Sequence, residues 1–179
     1  MNKILFTEIQ RFDQHWMRIP LYLLGIGNIL LFSYGFYYQL ILGIPWGDNP
    51  MSDTALIFLT FFVFLIWIGL FLLFQKATLV TNIGTECIQF RYPPFITKNR
   101  TISLSEVKQM EIRKYKPLWE YGGYGIRTSL GKGKAYNVKG NIGLQLYLKN
   151  GKKILIGTQK KEMIDWVIKK IQKTEDKLS

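Results

Sequence analysis

Apolar residues follow two patterns along this chain: long unbroken runs before residue 77, and short alternating runs after it. Leu21–Ile44 is a 24-residue apolar stretch, interrupted only by mild polar residues such as Asn28, Ser33 and Gln39. No charge occurs between Arg18 and Asp48. As a helix this stretch spans about 36 Å, enough to cross a hydrocarbon core of about 30 Å. Pro20 and Pro45 stand at its edges, where proline is tolerated. Thr54–Phe74 is denser still and predicts a second span. A chain of 179 residues has too little material to bury two all-round apolar helices in a soluble core, so a transmembrane hairpin is expected. The first run is too long for a signal peptide, and no small-x-small cleavage site follows it.

From Ala77 the period changes to two. Alternation and turn residues predict strands over Ala77–Ile83, Thr85–Tyr92, Arg100–Leu104 and Val107–Tyr115. Four more are predicted over Tyr124–Leu130, Ala135–Val138, Ile142–Leu148 and Lys153–Gly157. Gly131-Lys132-Gly133 reads as one hairpin tip and Asn150-Gly151 as another. One amphipathic helix closes the chain, with Thr158 as its expected N-cap. Its stripe is Ile164, Val167, Ile168 and Ile171, and Lys169, Lys170 and Lys173 lie toward its end. The expected organisation is an N-terminal segment (1–18), a transmembrane hairpin (19–76, outer loop 45–53), a domain (77–173) and a polar tail (174–179).

Charge sets the orientation. The net charge is +12, and residues 77–179 carry all of it, with 20 Lys or Arg against 8 Asp or Glu. Lys3, Arg11 and Arg18 precede the first run, whereas the loop Pro45–Asp53 has two Asp and no Lys or Arg. The positive-inside rule places both termini in the cytoplasm. Trp46, Tyr37 and Tyr38 then belong at the outer interface, and Trp16 and Tyr22 at the inner one. Asn28 is the polar residue most in need of a partner, but no ionisable group lies inside either run, so anchoring is expected rather than transport.

Candidate chemistry is sparse. Cys87 and His15 are the only residues of their kinds, which excludes an intrachain disulfide, the usual zinc sets and a Ser/His or Cys/His pair supplied by this chain. Gly131-Lys132-Gly133-Lys134 lacks the Ser or Thr and the upstream glycine of a phosphate loop. No enzyme activity, cofactor or metal is therefore expected. Glu120–Arg127 is the most unusual stretch: Gly122, Gly123 and Gly125 sit among Trp119, Tyr121 and Tyr124. It reads either as a loop presenting aromatics to lipid or peptide, or as a tight bend whose aromatics simply pack, with Glu120 and Arg127 paired across it. Basic clusters at Lys98-Asn99-Arg100, Arg113-Lys114-Tyr115-Lys116 and Lys149–Lys153 would form a polybasic surface if their tips converge. The candidate binding surface is Trp119, Tyr121, Tyr124, Arg127, Lys132, Lys134, Lys152 and Lys153.

Two apolar helices followed by about seven or eight strands and one C-terminal helix make an α+β membrane protein. In layout, and in Glu120–Arg127, Ala135-Tyr136-Asn137 and Gly140–Gly143, the chain resembles bacterial membrane proteins with a pleckstrin-homology-like (PH-like) domain. The resemblance implies a small β-barrel or sandwich closed by a helix, in a bacterial inner membrane, and carries no activity with it. The first turn, Asn82-Ile83-Gly84, lacks the basic residues with which phosphoinositide-binding PH domains usually work. The expected role is a membrane-anchored, non-catalytic module that binds a protein partner or anionic lipid headgroups. An accessory subunit of a larger transport or envelope-assembly complex is the alternative, and nucleic acid is disfavoured because no nucleic-acid-binding motif is present.

Overall fold

The computed structural model describes residues 3–175. The chain divides into two compact units, one of residues 13–75 and one that joins residues 1–12 to residues 76–179.

The first unit is helical. Helix α1 (His15–Phe36) continues through a wide π-type turn at Tyr37–Ile41, and helix α2 (Asp53–Lys76) follows. α1 starts earlier than its apolar run, so Pro20 lies inside the helix and not at its edge. Both helices are long and apolar enough to cross a membrane, and only 11% of the most apolar window of each is buried. They meet where small residues allow it: Gly25 faces the Trp67 ring, and the Tyr22 and Phe71 rings lie 6.0 Å apart. Trp46 folds back onto Gly35, where a Cβ would come within 2.5 Å of its ring. Asn28 donates to its own helix at Leu24 O (2.8 Å). Gln39 is the polar tie instead, donating to Met51 O (2.7 Å) and Asp53 Oδ1 (2.8 Å).

The second unit is α+β, with nine strands among the described residues in two separate sheets and no closed barrel. The first sheet is an antiparallel meander of β1 (Ile4–Arg11), β2 (Thr78–Gly84), β3 (Cys87–Tyr92) and β4 (Ile96–Ser103). The second contains β5 (Val107–Lys114), β6 (Gly125–Ser129), β7 (Gly133–Asn137), β8 (Ile142–Leu148) and β9 (Lys153–Gly157), in the order β5-β8-β9-β7-β6. β5, β8 and β9 form a meander. The β6–β7 hairpin, though inserted between β5 and β8 in sequence, adds to its far edge through a parallel β7–β9 pair. A short helix α3 (Pro117–Tyr121) precedes β6, and α4 (Lys161–Glu175) lies against β1 and β5. The expected tail falls largely outside the described residues. The α4 stripe Ile164, Val167, Ile168 and Ile171 is buried, and Leu79, Ile88, Phe90, Leu144 and Leu155 fill the core beneath the sheets.

β1 changes the expected organisation. Residues expected to be a plain N-terminal segment form a strand that pairs with β2, from Ile4↔Gly84 to Arg11↔Thr78. The helical unit is therefore an insertion between two neighbouring strands. The inward face of β1 carries Phe6, Glu8 and Gln10, all buried. Glu8 accepts from Thr158 Oγ1 (2.7 Å) and from the Gln159 N–H (2.8 Å), and Gln10 donates to Gly157 O (2.6 Å). Thr158 is consequently not the N-cap of α4, which begins three residues later. Its hydroxyl accepts from the Lys160 N–H and donates to Glu8, placing a carboxylate just before a helix N-terminus, where the dipole favours it.

Candidate functional site

A cleft of about 880 Å³ opens in the α+β unit between β4 of the first sheet and the β6–β7 hairpin and β8–β9 turn of the second. Arg100, Lys134, Lys152 and Lys153 line it against a single carboxylate, Glu106. Phe90, Tyr136 and Leu148 form its apolar floor. Arg100 lies two residues before the buried Ile102 and so shares its inward face. Its Nη1 donates to Tyr136 Oη (2.9 Å), and its guanidinium carbon lies 6.0 Å from the centre of that ring. The Phe90 ring packs 4.6 Å from Tyr136, fixing the floor on which the arginine rests. Lys153 Nζ donates to Gly131 O (3.1 Å), tying the β9 entry to the β6–β7 tip. Lys152 follows the Asn150-Gly151 turn, held by its N–H to Asn150 Oδ1 (3.1 Å). Four cations around one concave, partly apolar surface concentrate positive potential there and favour an anionic ligand.

The residues expected to form one binding surface separate into two groups. Lys134, Lys152 and Lys153 meet at the cleft. Lys132 stands exposed at the same hairpin tip, beside fully exposed Leu130. Trp119, Tyr121, Tyr124 and Arg127 belong to α3 and the bend after it. Pro117 opens α3, and Gly122 closes it with a positive φ of 71°. Trp119 is 89% exposed, with Leu118 beside it also exposed. Tyr124 is half-buried and Arg127 exposed. Tyr121 is not a surface residue. It is buried against Tyr115, Ala135 and Leu155, so the packed reading of the aromatics holds for Tyr121 and the exposed reading for Trp119.

The expected Glu120–Arg127 pair is replaced by another. Glu120 Oε2 accepts from Arg113 Nη1 (2.8 Å), and Oε1 accepts from the Lys116 N–H (2.8 Å). Arg113 also donates to Tyr121 Oη (3.2 Å) and, through Nε, to Gln145 Oε1 (3.1 Å). Tyr121 Oη donates onward to Lys132 O (3.4 Å), so the network joins β5, α3 and the hairpin tip. Arg127 instead donates from Nε to Tyr124 O (3.0 Å) and covers Gly123. β5 and α3 are close in sequence, and Arg113 on β5 reaches Glu120 across the turn that separates them.

Partial desolvation pushes the Glu120 carboxyl upward, but the Lys116 N–H and the Arg113 guanidinium outweigh it and hold the group below its ordinary range. A carboxyl lowered on folding stabilises the fold above its unfolded pKa, and that contribution disappears as the pH falls through the folded value. Glu120→Ala is expected to cost about 1–2 kcal/mol at neutral pH, the scale of charge-assisted hydrogen bonds at a partly exposed site. The difference from the native chain should vanish in acid. Urea unfolding of both proteins at neutral and acidic pH checks this, and an unchanged difference in acid would refute the assignment.

Arg100, Glu106, Phe90 and Tyr136 were not among the expected site residues. Arg100 was visible in a basic cluster, but nothing in the linear pattern placed it opposite Lys134. Among the described residues, no three His, Cys, Asp or Glu side chains gather as a metal site would require. Compared with known proteins, the chain matches no family model, no curated protein and no solved structure.

Proposed function

We propose that this protein is a membrane-anchored, non-catalytic binding module that holds an anionic partner in the cleft beside Arg100. In this reading α1 and α2 cross a bacterial inner membrane as a hairpin, and the α+β unit is a PH-like domain on the cytoplasmic side. Several observations support it. Only 11% of the most apolar window of each helix is buried, whereas the core helix of a soluble protein would bury most of it. The pairing of β1, before the helices, with β2, after them, suits a hairpin whose two ends share one side of the membrane. The connecting loop lacks Lys and Arg, as the outer side should. A four-stranded meander, a second sheet and a closing helix suit a PH-like plan in which the β6–β7 hairpin is an insertion.

The cleft is the observation that carries the reading: residues distant in sequence place four cations around one acid. Tethering would make even weak contacts effective by raising local concentration. The exposed Trp119 and Leu118 favour a second reading, an accessory subunit whose α3 docks on a larger membrane complex.

The full chain in phosphatidylcholine nanodiscs is expected to bind inorganic polyphosphate, more tightly at low salt than at moderate salt. At about 1 kcal/mol per basic residue, reversing two charges with Arg100→Glu and Lys152→Glu should weaken binding by more than about tenfold. Binding unaffected by either change would overturn the reading.

A further inference from the structure

β4 breaks the alternation that a half-buried strand should show. Five consecutive residues, from Thr97 to Thr101, are exposed, and burial resumes only at Ile102. β4 is also the last strand of its sheet, so among the described residues its outer backbone edge has no strand beside it. The open edge of β4, irregular between Ile96 and Arg100, is a template for pairing with another chain, and proteins commonly blunt such edges with charge. Lys98 and Arg100 supply that charge. Arg100 lies two residues before Ile102, so it projects from the face that turns toward the cleft, and it reaches Tyr136 across it.

Three kinds of occupant meet this surface differently. A second copy would pair β4 with β4, setting Lys98 and Arg100 against like charges. Lipid headgroups would answer the charge but would leave the row of backbone N–H and C=O groups unpaired. An extended acidic segment answers both. Its backbone continues the ladder beyond β4, while every second side chain projects toward Arg100, Lys134 and Lys152. We infer that β4 and the cleft together receive an extended acidic peptide segment by strand addition. The inference rests on the anion-binding reading above and adds backbone pairing to it. Five residues of strand extend about 17 Å, and the cleft's 880 Å³ leaves room for the carboxylate side chains on the inward face. The recognised pattern is therefore acidic at alternate positions, with β-forming residues between.

The test uses the full chain in phosphatidylcholine nanodiscs and an octapeptide alternating Glu with Val or Thr. Two further peptides of the same charge carry backbone N-methyl groups, one at the odd and one at the even positions. Strand addition uses the N–H groups of one parity only. One methylated peptide should bind like the parent, the other should bind at least about tenfold more weakly, and Arg100→Glu should weaken the parent comparably. Equal binding of the two methylated peptides would overturn strand addition while leaving the anionic cleft standing. Failure of every peptide, with Arg100-dependent binding to phosphatidylglycerol vesicles, would overturn the peptide in favour of headgroups. Failure of peptides, vesicles and polyphosphate alike would remove the anion-binding reading itself.

Discussion

A chain that lacks residues 1–12 is expected to lose the fold of its α+β unit, although those residues are separated from the rest of that unit by the whole helical insertion. β1 supplies a buried Phe6 and the carboxylate and amide that hold the β9–α4 connection. Burial of a phenylalanine contributes about 1.5–3 kcal/mol. Each hydrogen bond to the buried Glu8 contributes about as much again. With the β2 edge stripped of its partner as well, the loss comes to about 5–10 kcal/mol, comparable with the whole stability of an ordinary domain. Residues 76–173 alone should therefore show no cooperative urea transition. The same residues preceded by residues 1–12 through a short glycine turn, replacing the helices, should show one. Equal cooperative unfolding of the two forms would mean that β1 is dispensable. Glu8→Ala should fall between them, costing about 2–4 kcal/mol because it strands the Thr158 hydroxyl and the Gln159 N–H.

The second large effect is expected at the cleft wall. Gly133 has a φ of 84°, and a Cβ there would collide with the carbonyl of Lys153 on the neighbouring strand. Gly131, two residues earlier in the same turn, has a φ of 77° with open space around it. Gly131→Ala incurs only the strain of left-handed backbone, about 1–2 kcal/mol. Gly133→Ala adds a backbone collision that only separation of β7 from β9 can relieve, for a total of about 2–5 kcal/mol. It should also weaken polyphosphate binding, since Lys134 and Lys153 stand on the two strands being forced apart. Urea midpoints that are the same for the two alanine variants would show that this close approach has no energetic weight.

The contrast between β1 and the later strands shows where linear pattern succeeds. β2, β3 and β5–β9 coincide with expected runs because the usual signals agree: apolar residues alternate, and glycine or Asn-Gly turns bound them. The α4 stripe was legible for the same reason. β1 was not, because its polarity is inverted. Its inward positions after Phe6 are Glu8 and Gln10, while Ile9 faces outward, 59% exposed. An alternation rule reads such a strand as an ordinary polar segment. Its carboxylate is tolerated inside only because Thr158 and Gln159, some 150 residues later, donate to it.

The sequence by itself determined the two apolar helices, the β character of residues 77–157, the closing helix and the concentration of positive charge from Ala77 onward. These are local properties, written in period, turn chemistry and composition. Only the tertiary structure decided that the first strand belongs to the domain beyond the helices, that Tyr121 is core while Trp119 is exposed, and that Arg113, not Arg127, partners Glu120. It alone brought Arg100 to Lys134, Lys152 and Lys153. Each of these depends on which strand edges meet. That choice is made by pairing and burial between residues far apart in the chain, and no short window of sequence contains both partners.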